Sequence, residues 1–206
     1  MMDQWKFDKR IFSLRSFLGA VGEMVRCHRE VREAVKAGRV DKAFAERIML
    51  AVTRVNGCRY CTYAHSRAAL REGVSQEELN RLMAGDFKAV PQDQVVALHF
   101  AQHYAETEGR TDPEARRTLV ETYGEDKARD ILTYIRLITV GNLYGNTFDA
   151  LLSRFAGRPA PGSNPFSEVA VVLLGAAGSV LALAVVPLVK LAGALRSWCR
   201  DPRRGA

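Results

Sequence analysis

Apolar residues recur at helical spacing along most of the chain, and Gly or Pro interrupts the pattern between one segment and the next. The clearest segment is 43–55, where Phe44, Ile48 and Val52 share one face after a capping residue, Asp41. Similar patterns cover 11–37, 58–72, 75–84, 91–108, 112–123 and 125–144. No segment shows the two-residue alternation of a strand. The sequence therefore predicts an all-α fold.

The last quarter of the chain has a different pattern. We expect a helical domain over 1–156, a Pro/Gly linker over 157–168, and an apolar helix with a basic tail over 169–206. Val169 to Val189 are 21 consecutive residues without a charge, which is long enough to cross a bilayer core. The segment is therefore a candidate membrane anchor. A buried helix or a helix at an oligomer interface is the alternative interpretation.

Charge and composition narrow the class of protein. The chain has 206 residues, is 48% hydrophobic and 26% charged, and carries a formal net charge of +7. These values are typical of a folded globular protein. The basic residues are interleaved with acids, as on a solvated helix face, and no nucleic-acid motif is present. We therefore expect no nucleic-acid partner. The first residues lack the apolar core of a secretory signal, so we expect the helical domain to be cytoplasmic.

The candidate chemistry lies in one short motif, Cys58-x-x-Cys61-x-x-x-His65. The Asn56-Gly57 dipeptide indicates a break, and the residues after it favour a helix, which places Cys58 in its first turn. Cys61 and His65 are then four residues apart on the same face. A helix N-terminus favours a thiolate, an imidazole one turn away can move its proton, and a second thiol can close a disulfide. This pattern is typical of a redox-active dithiol.

Other interpretations of the same motif have to be weighed. A zinc site would need a fourth ligand, for which Cys27 and His28 are the nearest candidates. Cysteines can also be inert buried residues. Attachment of c-type haem is set aside, because Thr62 stands where that motif needs a histidine.

A second pair of histidines, His99 and His103, has a spacing that can bind a metal ion. The H-E-x-x-H motif and an obvious third ligand are absent from the sequence around this pair. Ordinary packing or surface positions are therefore the favoured interpretation.

Glu46, Cys58, Cys61 and His65 together have the spacing E-x11-C-x2-C-x3-H. In this spacing the chain resembles the AhpD-like alkylhydroperoxidase branch of the carboxymuconolactone decarboxylase family. The resemblance covers roughly residues 20–157 and leaves out the apolar C-terminal segment.

The resemblance implies an AhpD-like helical domain that assembles as trimers or larger homo-oligomers and reduces a hydroperoxide without a cofactor or metal. Cys61 would attack the peroxide, and Cys58 would resolve the oxidised sulfur and meet a dithiol reductant, either a protein or a lipoyl-type group. His65 would move the proton, and Glu46 would orient that histidine. One position departs from the pattern, because Tyr60 stands where well-known members carry a histidine between the two cysteines. Tyrosine is a poor base near neutral pH.

Three functions follow as expectations. The first is a thiol-dependent peroxidase. The second is a membrane-tethered redox sensor or disulfide-exchange module without efficient turnover, which the Tyr60 departure and the apolar tail favour. The third is a decarboxylase. Decarboxylation is the chemistry of family members without the thiols, so the presence of Cys58 and Cys61 argues against it.

Overall fold

The computed structural model describes residues 7–180, and within this range the regular elements are helices. The prediction of an all-α fold is therefore confirmed for the described residues. The helices are α1 (Leu14–Arg26), α2 (His28–Ala37), α3 (Lys42–Asn56), α4 (Arg59–Arg71), α5 (Gln76–Ala84), α6 (Val95–Glu106), α7 (Pro113–Phe155) and α8 (165–180), with a 3-10 turn at Gln92–Gln94 before α6.

Short polar side chains fix the start of several helices. Asp41 accepts the backbone N–H of Phe44 at 2.8 Å at the start of α3, and Ser75 accepts that of Glu78 at 3.1 Å at the start of α5. Asp112 caps α7 in the same way. Each bond satisfies a backbone donor that the first helical turn leaves free. The predicted starts of these helices are confirmed.

Helix α3 is the central helix of the domain. It packs against α4, α6 and α7, and Ile48, Leu50, Ala51 and Val52 on successive sides of it are completely buried. A helix that is apolar on most sides has no face for water, so its neighbours must surround it. The C-terminal end of α3 leads directly into the motif with the two cysteines. The core therefore holds the base of the candidate site in place.

Helix α7 is longer than the sequence pattern predicts. A bend is found at Gly124, where φ is 74° and ψ is 160°, as expected from the break in the pattern there. The pattern over 125–144 predicts an end or a bend near its last residues, at Asn142–Asn146, but neither is found and α7 continues to Phe155. The asparagine and glycine residues in this stretch are used for side-chain contacts inside the fold, and they do not form a turn.

Helix α8 begins at residue 165, inside the segment expected to be a linker, and it packs on the domain. Glu168 is completely buried, and Arg154 on α7 donates to both of its oxygens, at 2.7 and 3.0 Å. Val171 joins a small core with Phe12, Phe17 and Leu143. Tyr144 donates its hydroxyl to the carbonyl of Val172 at 3.1 Å. The start of the apolar segment is therefore part of the domain.

Among residues 7–180, we find no helix with the length and apolar character that a membrane span requires. The candidate anchor at 169–189 lies partly outside the described residues, from position 181 onward.

Candidate functional site

The site begins at the junction of α3 and α4. Gly57 ends α3 in the left-handed conformation, with φ of 68°, which glycine adopts without strain. Cys58 follows as the N-cap of α4, one position earlier than the first-turn placement expected from the sequence, and its sulfur accepts the backbone N–H of Cys61 at 3.3 Å. The two cysteines form a disulfide, with Cα atoms 5.4 Å apart. Their spacing and the sharp turn thus bring both sulfurs to the helix N-terminus.

The two sulfurs differ in access. Cys58 is completely buried, whereas Cys61 is partly exposed. Cys58, to which the resemblance assigns the contact with the reductant, is thus the less accessible of the two sulfurs in the disulfide form. Burial of Cys58 follows from its position between the end of α3 and the face of α7.

Gly145 on α7 packs against the disulfide. A Cβ atom placed there would be 2.7 Å from the sulfur of Cys58 and 3.8 Å from that of Cys61. Real Cβ atoms do not approach other atoms as closely as the first of these distances, so the contact between α7 and the disulfide depends on glycine. Sequence analysis did not identify Gly145 as part of the site, since a glycine inside a helical pattern usually signals only a helix end.

The imidazole and the carboxylate of the motif are brought together. Nδ1 of His65 lies 2.8 Å from Oε2 of Glu46, and the two side chains are 24% and 16% exposed. An ionised carboxylate can only accept, so the ring donates through Nδ1–H, and in the neutral form of the ring the lone pair lies on Nε2. Among the described residues, Nε2 has no hydrogen-bond partner. His65 therefore presents a free base one turn along α4 from Cys61.

Tyr60 packs against α7 near the disulfide, since a Cβ atom placed at Gly145 would be 3.6 Å from its ring. Its ring lies 5.7 Å from that of Phe148 between ring centres, and its hydroxyl accepts a hydrogen bond from Arg59 at 2.8 Å. The hydroxyl is thus engaged with a guanidinium. In this position the side chain acts as part of the wall beside the sulfurs.

A buried polar network supports the site from behind. Asn142 accepts from Asn56 at 3.1 Å and donates to Thr53 at 3.0 Å, and Asn146 donates to the carbonyl of Asn56 at 2.8 Å. These bonds tie the last turn of α3 to α7 immediately before the disulfide. Sequence analysis missed this network. The available signal was the pair of asparagines four residues apart within an apolar helical pattern.

The other candidate ligands lie elsewhere. Cys27 is a free thiol at the junction of α1 and α2, and His28 bonds to the carbonyl of Val25 at 2.9 Å. The His99 ring packs on Phe87 at 5.0 Å, and His103 accepts the N–H of Asp112 at 3.2 Å. Within the part of the chain that the structure describes, no three His, Cys, Asp or Glu side chains are grouped in a way that could hold a metal ion.

Part of the chain is similar to known proteins. Residues 23–102 match the carboxymuconolactone decarboxylase family, and this range contains all four residues of the E-x11-C-x2-C-x3-H pattern. A stretch of 68 residues is 35% identical to an alkyl hydroperoxide reductase AhpD of Corynebacterium kroppenstedtii. That alignment covers 33% of this chain and 38% of the relative, so the chain spans well under half of the relative's length. No solved structure matches the chain.

The helical fold and the two partial matches are similar to those of AhpD-like proteins. The match to the carboxymuconolactone decarboxylase family over residues 23–102 agrees with the resemblance found in the sequence.

Proposed function

We propose that the protein is a thiol-dependent peroxidase that reduces organic hydroperoxides through the Cys58–Cys61 pair. One observation carries the proposal: a disulfide at the start of α4 is followed, one turn later, by an imidazole held by a carboxylate. A dithiol needs no metal or further cofactor for two-electron chemistry of this kind.

Cys61 is the sulfur that attacks the peroxide. It is the more exposed of the two thiols, and it lies in the first turn of α4, where the helix dipole favours its thiolate. The thiolate attacks the outer peroxide oxygen and breaks the O–O bond. Cys61 becomes a sulfenic acid, and the alkoxide leaves with a proton to form the alcohol.

His65 and Glu46 handle the protons. The free Nε2 of His65 takes the thiol proton of Cys61 and returns it to the leaving alkoxide. Glu46 holds the ring through Nδ1 and stabilises the imidazolium that forms meanwhile. Tyr60 holds no proton-transfer role in this scheme, and the relay is correspondingly short.

Cys58 completes the cycle as the resolving thiol. Its thiolate attacks the sulfur of the Cys61 sulfenic acid, the disulfide forms, and the oxygen leaves as water. An external dithiol then reduces the disulfide and restores both thiols, and the external dithiol is itself oxidised to a disulfide. Cys58 caps the helix through its sulfur, so the same N–H that bonds to the disulfide also stabilises this sulfur as a leaving group.

The direct test is a thiol count on the fully reduced protein before and after one equivalent of cumene hydroperoxide. We expect two thiols to disappear and one equivalent of alcohol to form. Cys61→Ser should remove the reaction. Cys58→Ser should stop it at a sulfenic acid that dimedone traps, with turnover lost. Full activity in both variants would overturn the proposal.

The same assay separates the alternatives. A redox sensor would lose two thiols in one stoichiometric event but would consume peroxide slowly with excess dithiothreitol, and the position of Tyr60 is the feature that favours it. A decarboxylase would retain its activity after the thiols are alkylated. Sustained peroxide consumption that alkylation stops excludes both.

We further propose that the protein acts as a homo-oligomer. Several large apolar side chains near the C-terminal end of the described domain are exposed, with Phe155 at 77%, Phe166 at 71% and Leu173 at 64%. An exposed group of this size usually marks an association surface. Sedimentation of the full chain should give a mass of three or more protomers, and a monomer at micromolar concentration would contradict this.

A further inference from the structure

The exposed face of α4 carries more positive than negative charge. Arg59, Arg67 and Arg71 lie on this helix, and there is no acidic residue from Arg59 through Arg71. All three are exposed. Among the described residues, Arg67 and Arg71 form no ion pair. The helix that bears the reactive sulfur thus presents free guanidinium groups to solvent.

Two arginine–tyrosine pairs give this face a defined shape. Arg59 lies 4.9 Å from the centre of the Tyr60 ring and donates to its hydroxyl. Arg67 lies 5.5 Å from the centre of the Tyr63 ring and donates to its hydroxyl at 2.6 Å. Tyr63 is 64% exposed. Guanidinium groups held on aromatic rings are partly ordered before any partner arrives, and Tyr and Arg are the residue types that dominate binding interfaces.

The acid that pairs with Arg59 is shared with a second cation. Asp149 on α7 pairs with Arg59 at 2.5 Å and with Lys9 at 2.7 Å. Its charge is therefore shared between two cations, and it leaves Arg67 and Arg71 unneutralised. A partner with acidic side chains would complement this face of α4, whereas a basic partner would be repelled.

We propose that the α4 face, defined as Arg59, Tyr60, Tyr63, Arg67 and Arg71, is the docking surface for an acidic protein that carries the reducing dithiol. This rests on the proposed function and names the kind of partner that resets the disulfide. Attack falls on Cys61, because Cys58 is completely buried. A partner thiolate bonds to the sulfur of Cys61, and the bond to Cys58 breaks, with Cys58 leaving as a thiolate. The partner's second thiol then displaces Cys61, so that the partner is oxidised and both protein thiols are restored.

The test uses two synthetic peptides with the same Cys-x-x-Cys core, one flanked by Asp and Glu and the other by Lys. Each reduces the oxidised protein, and the thiols are trapped by alkylation over time. Each peptide's rate is divided by its rate with hydroxyethyl disulfide, which removes differences in intrinsic thiol reactivity. We expect the acidic peptide to be about 10-fold faster or more at low salt, with the advantage largely lost near 1 M salt.

Two variants with the same change in net charge make the test specific. Arg67→Glu should remove or reverse the preference for the acidic peptide. Arg116→Glu, at an exposed position on α7, should keep it. Equal rates for the two peptides with the wild-type protein would overturn the docking surface, as would equal losses in the two variants.

A trapping experiment tests which sulfur is attacked. An acidic peptide whose second Cys is replaced by Ser should stop at a mixed disulfide, and peptide mapping should find the adduct on Cys61. An adduct on Cys58 would overturn the inference. The failure of the proposed function is distinguishable, because the protein would then fail to cycle between hydroperoxide and dithiothreitol, which involves no docking.

Discussion

Tyr144 and Gly145 are neighbours on α7, yet they serve two regions of different character. Gly145 lies over the disulfide, and Tyr144 binds the backbone of α8. At the α8 contact, Arg154 satisfies both oxygens of Glu168, and Glu168 is fully buried. At the dithiol site, Cys61 and His65 are partly exposed. Polar groups are thus buried and paired at the α8 contact and remain partly accessible at the dithiol site.

The comparison predicts that changes in the two regions appear in different measurements. The largest effect is expected for His65→Gln, which removes the base beside Cys61. Turnover of cumene hydroperoxide should fall about 10²- to 10⁴-fold, the usual contribution of a positioned acid–base group. The free energy of unfolding should change by only about 1 kcal/mol, because the His65–Glu46 bond is partly solvated.

The matched control for this variant is His103→Gln, which changes a histidine that bonds to the backbone of Asp112. It should leave turnover within about twofold of the wild type, since surface substitutions away from a site usually have small effects. Equal losses of turnover in the two variants would show that His65 has no special role.

The next largest effect concerns stability at the α8 contact. Arg154→Ala leaves the Glu168 carboxylate buried without its partner, and breaking such a pair typically costs about 3–5 kcal/mol. Urea unfolding should show this loss, while the folded variant should keep its turnover. The control is Arg158→Ala, at an exposed position with no ion pair in the described structure, which should cost less than about 0.5 kcal/mol.

The third prediction concerns Gly145, which should affect both stability and turnover, because it lies against the disulfide and is also part of the helix packing. Gly145→Ala places a Cβ atom 2.7 Å from the sulfur of Cys58, which should cost about 1–3 kcal/mol in the oxidised protein and slow turnover. Gly141→Ala, one turn earlier, meets its nearest side chain at 4.0 Å and should gain about 0.5–1 kcal/mol. Unfolding of both oxidised proteins checks this, and equal shifts would contradict it.

The smallest effect is on the acid dependence of stability. Burial alone would raise the pKa of Glu168, but hydrogen bonds from Arg154 and Ser163 and the charge of Arg154 hold that pKa below its ordinary value of 4.5. The unfolded carboxyl therefore takes up its proton first as the pH falls. The stability from this group is complete above about pH 4.5 and is lost as the pH drops toward the folded pKa.

Unfolding free energies measured across this acid range should therefore fall less steeply for Glu168→Gln than for the wild type. Glu125→Gln, which removes an exposed carboxyl, serves as the control and should follow the wild-type curve. If the unfolding free energies of the wild type and of Glu168→Gln fell equally steeply with pH, the pKa of Glu168 would be the same in the folded and the unfolded protein.

Local signals account for much of the fold and for the core of the site. The caps Asp41 and Ser75 and the break at Asn56-Gly57 are short-range features, and the helices begin and end where they indicate. The proximity of Cys58 and Cys61 follows from a three-residue spacing at a helix start. Predicting the pairing of Glu46 with His65 also required the family resemblance, because this hydrogen bond joins two different helices.

The features that escaped prediction are those that depend on the approach of distant segments. Gly145 lies in a stretch that indicated a helix end or bend along the chain, whereas in the fold it makes room for the sulfur of Cys58. The pairing of Arg154 with Glu168 crosses a Pro/Gly-rich stretch that carries no periodic pattern. Propensity and spacing describe a segment and its near neighbours, so contacts of this kind are set by tertiary packing.

The Asn56-Gly57 turn has a consequence for the lifetime of the protein. In this dipeptide the glycine nitrogen can attack the side-chain carbonyl of the asparagine and release ammonia, and water then opens the resulting succinimide to aspartate or to the isomerised isoaspartate. Here the Gly57 nitrogen donates to the carbonyl of Thr53 at 2.9 Å, and the amide of Asn56, only 3% exposed, donates to Asn142. Folding thus protects the Asn56-Gly57 dipeptide from deamidation, and peptide mapping of a native sample after long storage should find Asn56 intact.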